Sequence, residues 1–412
     1  MKSEKIIVGG LMLWAVLMLT VGCSDDTVDD RRNGKVTVEL MSAASDYTEV
    51  EQPDAGTRAT GSEPAWAPSG YYLYNQIESK GISEPNDAAA IGVYFTQGTT
   101  SGDVRKFRKN ASGKWLIDED VTTGDYYIYG LVPYNAAEVT MNYFGSSYAE
   151  GAEMTLSGLG GAMSQDPCIV VGAKDGVILD GQSTPVPNVP TTYKMKAGDF
   201  SCHFGVSAAN IQKNYVFLLF QHLYAALRFR FRVADDYAAM RTIHLRSLEL
   251  LAYSDVACQR RIKYVNATVT LRANTEGSSP VCEPIDFTPE IVENDDKNPA
   301  RIFTGDEPIP SGRYGEGEEH AGEWKYTDCL GFVSNINGYL LLKSTYDVYD
   351  KQGNKIRMGC EASNLIDPFT VFQTSSLNSG MIYTLNLTIQ PTYLYVMSEP
   401  DLKDLDNPKI YY

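Results

Sequence analysis

The side chains with the widest chemical reach in this 412-residue chain are four histidines, seven cysteines and 52 acidic residues. No two histidines stand at the H-E-x-x-H spacing, and no two cysteines form a C-x-x-C pair. The sequence also contains no G-x-S-x-G elbow, no P-loop and no dinucleotide fingerprint. We therefore predict a protein that is not an enzyme and has no catalytic residues, cofactor or metal. A hydrolase built on two of the many carboxylates is the weakest alternative.

Two groups of residues could carry chemistry individually. His222 stands at the head of an apolar strand, but a histidine base needs a nucleophile within reach, and the sequence indicates none. We predict that His222 packs or hydrogen-bonds to backbone. Asp401, Asp404 and Asp406 could bind calcium, but leucines interrupt them and the EF-hand order is absent, so a solvated acidic turn is predicted.

The amino terminus places one cysteine in a processing signal. Lys2 and Lys5 precede an apolar run over 6–21 that is short for a membrane-spanning helix, and Gly22 stands directly before Cys23. The stretch 19–23 resembles a bacterial lipobox, although Thr20 stands where leucine is commonest. The resemblance implies that Cys23 carries a diacylglycerol anchor and becomes the first mature residue. The alternative is an ordinary signal peptide followed by a coincidental cysteine.

An acidic segment, 23–34, follows this cysteine and is too polar to fold on its own, so we predict a solvated tether. Its Ser24-Asp25-Asp26 start resembles the signal that directs lipoproteins of Bacteroides-type bacteria to the outer face of the outer membrane. A merely soluble spacer is the alternative. The net charge of −17 argues against a nucleic-acid partner, because binding phosphates requires a basic face.

Any site in this chain must be positioned by β-strands, because the composition and the apolar pattern both favour them. Twenty-seven tyrosines, 35 glycines and 19 prolines favour an all-β chain with many turns. Period-two alternation is clearest over Leu227–Val233 and recurs over 35–40, 265–271 and 383–389. After Arg246 the apolar positions slip phase, which predicts a bulge. The stretches 42–70 and 274–323 are predicted to be loops.

After removal of the leader, about 390 residues suit two domains. We place a signal peptide at 1–22, the tether at 23–34, one domain at 35–213 and a second at 214–412. Six cysteines remain after Cys23, and bridges and buried free thiols both stay open for them: Cys168, Cys202, Cys258, Cys282, Cys329 and Cys360.

Four motifs in order resemble the fimbrillin-like proteins of Bacteroides and Porphyromonas, the subunits of type V pili. They are Ile91-Gly92-Val93-Tyr94, Tyr127-Ile128-Tyr129-Gly130-Leu131-Val132-Pro133-Tyr134, Asp166-Pro167-Cys168-Ile169-Val170-Val171-Gly172 and Phe220-Gln221-His222-Leu223-Tyr224-Ala225-Ala226-Leu227-Arg228-Phe229. The resemblance implies two tandem transthyretin-like β-sandwich domains.

The resemblance also gives a meaning to Arg58. Relatives mature when a trypsin-like protease cuts after an arginine in the loop behind the first strand, and Arg58-Ala59 lies in a small-residue stretch where cleavage is easy. Loss of the strand 36–40 would leave an apolar groove, which a strand from a neighbouring subunit could fill. The implied donor is the tail at 393–397, with 410–412 as a further candidate segment. In the alternative reading, Arg58 is an ordinary loop residue and the first strand stays in place.

These features predict a structural pilus subunit on the cell surface, held in the outer membrane through Cys23 and joined to other pilin subunits by strand exchange. Three prolines in the tail, Pro391, Pro400 and Pro408, allow only short strands there, so tip and anchor subunits stay open as alternatives. A monomeric surface lipoprotein that binds a host protein or glycan is the competing class. Its platform would be Tyr71, Tyr72 and Tyr74 near Trp66, although a sandwich core could use the same aromatics.

Overall fold

The computed structural model describes residues 34–44, 48–51, 90–179, 181–189, 196–205, 214–274, 286–310, 329–336 and 338–389. Their secondary structure is almost entirely β, as predicted. The signal peptide, all but the last residue of the tether, and the tail lie outside these ranges. Within them, no helix is both long enough and apolar enough to cross a bilayer.

The strands of the first half are β1 Lys35–Val36, β2 Val38–Ala44, β3 Thr48–Glu51, β4 Ile91–Thr96, β5 Val104–Lys109, β6 Trp115–Ile117, β7 Val121–Thr122, β8 Gly124–Val132, β9 Glu138–Tyr143, β10 Gly151–Gly160, β11 Ala162–Met163, β12 Cys168–Val177, β13 Val186–Pro187 and β14 Ser201–Phe204. The second half adds β15 Asn214–His222, β16 Ala225–Val233, β17 Arg241–Tyr253, β18 Arg260–Arg272, β19 Asp286–Glu293, β20 Ala300–Pro308, β21 Cys329–Val333, β22 Tyr339–Asp350, β23 Lys355–Ile366 and β24 Met381–Ile389. A 3₁₀ turn, Tyr148–Glu150, and two short helices, Asp235–Ala238 and Pro368–Phe372, complete the described elements.

The first sandwich is a sheet that closes on itself. Its strands follow the order β12, β15, β2, β6, β5, β4 and β8, and β8 pairs back to β12 through Leu131 and Val132. The apolar side chains that point inward form one core, which includes Val38, Ile91 and Phe107, all fully buried. An inner strand of this ring therefore supports the core and links two neighbours.

The second sandwich packs two sheets face to face. One sheet has the order β23, β22, β17, β18, β10 and β9, with β19 and β20 added to β18 and β17. The other has the order β11, β21, β16, β24 and β3. The alternation predicted for Leu227–Val233 is confirmed, because Leu227, Phe229, Phe231 and Val233 are buried in the core between the sheets.

The two sandwiches meet along β8, which is buried on both faces. Ile128 and Val132 point into the first core, whereas Tyr129 and Leu131 belong to the second core. The Tyr129 hydroxyl donates to the Tyr148 carbonyl at 2.7 Å. Gly130 sits where a Cβ would lie 2.5 Å from the Gly92 carbonyl oxygen, so only glycine fits this crossing.

Strands are exchanged across the predicted boundary at 213/214. Asn214 is the first residue of β15, which pairs with β12 and β2 in the first sandwich. Conversely, β10 from the first half pairs with β18 in the second sandwich. The two halves of the chain are thus joined through their sheets as well as end to end.

The predicted bulge at Arg246 is confirmed, since the pairing of β17 with both neighbours shifts register between Leu245 and Ser247. The guanidinium of Arg246, the residue at the bulge, contacts two carboxylates. Nε donates to Asp347 at 2.5 Å, and Arg246 Nη1 lies 2.7 Å from Asp306, which also binds His244 Nδ1 at 2.6 Å. A charged network therefore covers the outer face of β17.

This network makes the free energy of unfolding depend on pH. The His244 hydrogen bond, followed by the attraction of Arg246, lowers the pKa of Asp306 below its usual range. Because the pKa is lower in the folded state than in the unfolded state, Asp306 contributes stability above about pH 4 that is lost as pH falls through the folded-state pKa. The difference in free energy of unfolding between wild type and Asp306→Asn should therefore shrink on acidification, measured by urea unfolding from pH 6 to pH 2. Asp286→Asn, at an exposed carboxylate of β19, is the control, and an unchanging difference for Asp306→Asn would contradict this assignment.

Two loop predictions were wrong. The stretch 274–323 contains β19 and β20, which pair with β18 and β17. Most of their side chains are exposed or half-buried, so these edge strands lack the period-two apolar signal that reveals a half-buried strand. The stretch 42–70 likewise begins inside β2 and contains β3.

Candidate functional site

The first candidate site is the position of β2 in the first sandwich. Apolar residues alternate with polar ones along this segment, so Val38 and Leu40 point into the first core and are 0% and 3% exposed. Between them Glu39 points outward, where its carboxylate lies 3.5 Å from the Lys114 ammonium. The side chains of β2 therefore fill one strip of the core.

The backbone of β2 is paired on both edges. It runs parallel to β15, with Val38 opposite Asn214 and Leu40 opposite Val216, and antiparallel to β6. The register with β15 shifts after Leu40, so that Ser42 faces Phe217 and Met41 is the extra residue of a bulge. Among the described strands, β2 is the one that joins β15 to β6, and the closed sheet depends on it.

The same end of the chain continues into the second sandwich. β3 lies at the edge of its sheet and runs parallel to β24, with Thr48 opposite Met381 and Glu51 opposite Thr384. We call β2 and β3 together the leading strands. Both precede Arg58 in sequence, and each belongs to a different sandwich.

The predicted site residues themselves lie outside the described ranges. This holds for the lipidation residue Cys23, for the processing pair Arg58 and Ala59, and for the aromatics near Trp66. These assignments stay predictions.

A second cluster lies buried between β12 and β15. Cys168 and His222 are opposite one another in the ladder, so their side chains share a face, and Asp166 reaches the same point from two residues before Cys168. His222 Nδ1 lies 2.5 Å from Asp166 Oδ2 and 3.2 Å from Cys168 Sγ. The side chains of His222 and Asp166 are 1% and 2% exposed, and Cys168 is fully buried.

This trio is not arranged for nucleophilic catalysis. In a Cys-His-Asp triad the two partners bind opposite ring nitrogens, so that one orients the base and the other is activated. Here Asp166 and Cys168 both contact Nδ1. Burial, and then the Asp166 carboxylate, raises the pKa of the Cys168 thiol well above its usual range, which suppresses the reactive thiolate.

Sequence reasoning missed this trio. His222 was predicted to pack or to bind backbone, whereas its Nδ1 contacts two side chains. Its partners are 54 and 56 residues away, and only the pairing of β12 with β15 brings them together. The available signal was that Asp166, Cys168 and His222 all stand in motifs of the fimbrillin-like resemblance.

No protein-family model matches the chain, and no curated protein matches it in sequence. The solved structures to which the chain is similar include three of Bacteroides proteins, each matched over 86–87% of this chain and 94–95% of the other. A candidate cell adhesion protein from Bacteroides uniformis is 12% identical with a TM-score of 0.33, and one from Bacteroides fragilis is 12% identical with a TM-score of 0.35. A fimbrial protein from Bacteroides vulgatus is 11% identical with a TM-score of 0.27.

Proposed function

We propose that this chain is a non-enzymatic structural subunit of a type V, fimbrillin-type pilus. It is exported as a lipoprotein through Cys23, trimmed after Arg58 and joined to its neighbours by strand exchange at the outer membrane surface. The observation that carries the proposal is the position of β2, an inner strand of the first sandwich that precedes Arg58.

Trimming after Arg58 would separate both leading strands from the rest of the chain by a single cut. Departure of β2 would leave β15 and β6 without the strand that joins them and would empty the strip of the first core filled by Val38 and Leu40. Exposed apolar surface and unpaired backbone groups are both unfavourable in water. A replacement strand would remove both penalties together, which gives the driving force for assembly.

The tail of the chain contains a segment that shares the apolar pattern of β2 and its Met-Ser pair. Thr37-Val38-Glu39-Leu40-Met41-Ser42 aligns with Tyr393-Leu394-Tyr395-Val396-Met397-Ser398. Apolar residues coincide at both inward positions, and the Met-Ser pair that forms the bulge in β2 recurs in the same place. The tail residues lie outside the described ranges, so the match is one of sequence. It supports a donor that enters the register of β2 on a second copy of this chain.

This match yields a sharp test. Trypsin treatment of the purified chain should cut after Arg58, give Ala59 as the new amino terminus and produce SDS-resistant ladders on unheated gels. Val396→Glu should abolish the ladders without affecting the cut, because it aligns with Leu40 and would place a charge in the core. Tyr395→Glu should preserve them, because it aligns with the outward Glu39.

The outcomes separate the alternatives. Arg58→Gln should prevent both the cut and the ladders. Ladders that survive Val396→Glu, or a cut that yields only monomers, would overturn the shaft-subunit role. A chain that resists cutting at Arg58 would favour an anchor subunit, in which the buried β2 stays in place. Monomers that bind a glycan or host protein would favour a tip or a binding lipoprotein.

A further inference from the structure

The side chains of Asp166, Cys168 and His222 are not needed to join β12 to β15. Joining the start of β12 to the end of β15 needs only hydrogen bonds, which the ladder and the Leu223 amide to Pro167 carbonyl bond at 2.8 Å already provide. The trio instead brings together an oxygen, a sulfur and a nitrogen ligand, all within 4.8 Å of one another. These are the three donor types from which proteins build zinc sites.

The separations within the trio are close to those of ligands around one ion. With bonds of about 2.3 Å to sulfur and about 2.0 Å to nitrogen, tetrahedral geometry places the two ligand atoms about 3.5 Å apart. Cys168 Sγ and His222 Nδ1 are 3.2 Å apart. Asp166 Oδ2, at 2.5 Å from the same nitrogen, would move outward by less than about 1 Å.

The charge balance also favours an ion. Asp166 is a carboxyl group with only 2% of its side chain exposed, in an interior where charge is costly. A divalent ion bound by one carboxylate, one thiolate and one neutral imidazole gives a site of zero net charge. Binding would release the thiol proton of Cys168 to solvent and would require His222 to hold its ring proton on Nε2, so that the lone pair of Nδ1 faces the ion.

We propose that Asp166, Cys168 and His222 form a buried structural site for a thiophilic divalent ion, with zinc as the fitting metal. The thiolate selects against calcium and magnesium, which prefer oxygen ligands. Since all three side chains are enclosed, the ion is captured while the first sandwich folds. The site would then hold β12, β15 and the segment before β12 at one point. This inference is independent of the proposed pilus function.

The test uses the full chain refolded with zinc or with cobalt, followed by desalting. Elemental analysis should find about one zinc per chain, and the cobalt form should show a thiolate-to-cobalt charge-transfer band. Zinc should also raise the midpoint of thermal unfolding relative to protein refolded with a chelator.

Matched variants locate the ion. Cys168→Ser should lose the charge-transfer band and most of the bound zinc, whereas Cys360→Ser, at a buried cysteine of β23, should retain both. Asp166→Asn gives a second variant that leaves the thiol and the imidazole in place and should weaken zinc retention. Absence of zinc and of the cobalt band from the refolded wild type, or equal retention by Cys168→Ser, would overturn the site and leave a hydrogen-bonded trio only.

Discussion

Replacing His222 with alanine should lower the free energy of unfolding by about 3–5 kcal/mol, because it removes a buried hydrogen-bond partner of Asp166 and leaves a cavity where the ring was packed. The Nδ1 of His222 lies 2.5 Å from Asp166, and both side chains are nearly inaccessible to water. After the change, the carboxyl group stays enclosed without this contact. The measurement is urea unfolding at pH 7 with a chelator present, so that bound metal does not contribute.

The chain provides a matched control for this prediction. His203 Nδ1 lies 2.7 Å from Asp125 in a contact of the same chemistry, but the two side chains are 66% and 84% exposed. An exposed pair is screened by water, so His203→Ala should change stability by less than about 1 kcal/mol. Similar losses in the two variants would mean that burial does not set the strength of the His222 contact.

Replacing Leu40 with alanine should destabilise the untrimmed chain by about 2–5 kcal/mol, the range for a large-to-small change in a packed core. Leu40 is 3% exposed and belongs to the first core. Because β2 joins β15 to β6, the loss should fall on the first sandwich. Relative to wild type, the variant should therefore show faster hydrogen exchange at the amides of β15 and β6. The exchange rates of β17 and β22 in the second sandwich should change less.

Glu39→Ala, one residue away, is the control for this effect. Its side chain points outward to Lys114, and a surface ion pair of this kind contributes about 0–1 kcal/mol. If Leu40→Ala were as mild as Glu39→Ala, β2 would not be an integral part of the first core. The proposed groove would then have little apolar surface to offer a donor strand.

The sequence predicted the strands whose two faces differ in polarity. Leu227–Val233 was predicted to bury one face because large apolar residues alternate with arginines, and those apolar residues are buried. The bulge at Arg246 was predictable for the same reason, since an extra residue leaves a visible phase slip in the apolar pattern. In these places the period of two is directly readable.

Strands with two similar faces were harder to predict. β19 and β20 are mostly exposed or half-buried, so turn-rich composition outweighed a weak pattern there. The sequence also did not predict that β10 pairs in the second sandwich and β15 in the first. Their partners, β18 and β12, are far away in sequence, and local patterns carry no information about such pairing. No local property of Asn214 distinguishes a domain start from an inner strand.

For the candidate sites, too, the sequence predicted the local pattern of a strand but not its neighbours in the sheet. The alternation of the first strand was readable, but its place between a parallel and an antiparallel neighbour was not. The trio was invisible because each member alone has a more ordinary explanation. His222 and Cys168 became partners only through the register of β12 against β15.

The double pairing of β2 has a mechanical consequence for the proposed untrimmed form anchored at Cys23. The hydrogen bonds from β2 to β15 and β6 lie across the strand axis, so tension applied along that axis would load them in shear. Such a load shears many bonds at once instead of peeling them apart one by one. Under pulling, β2 would thus resist extension of the first sandwich until these bonds break together.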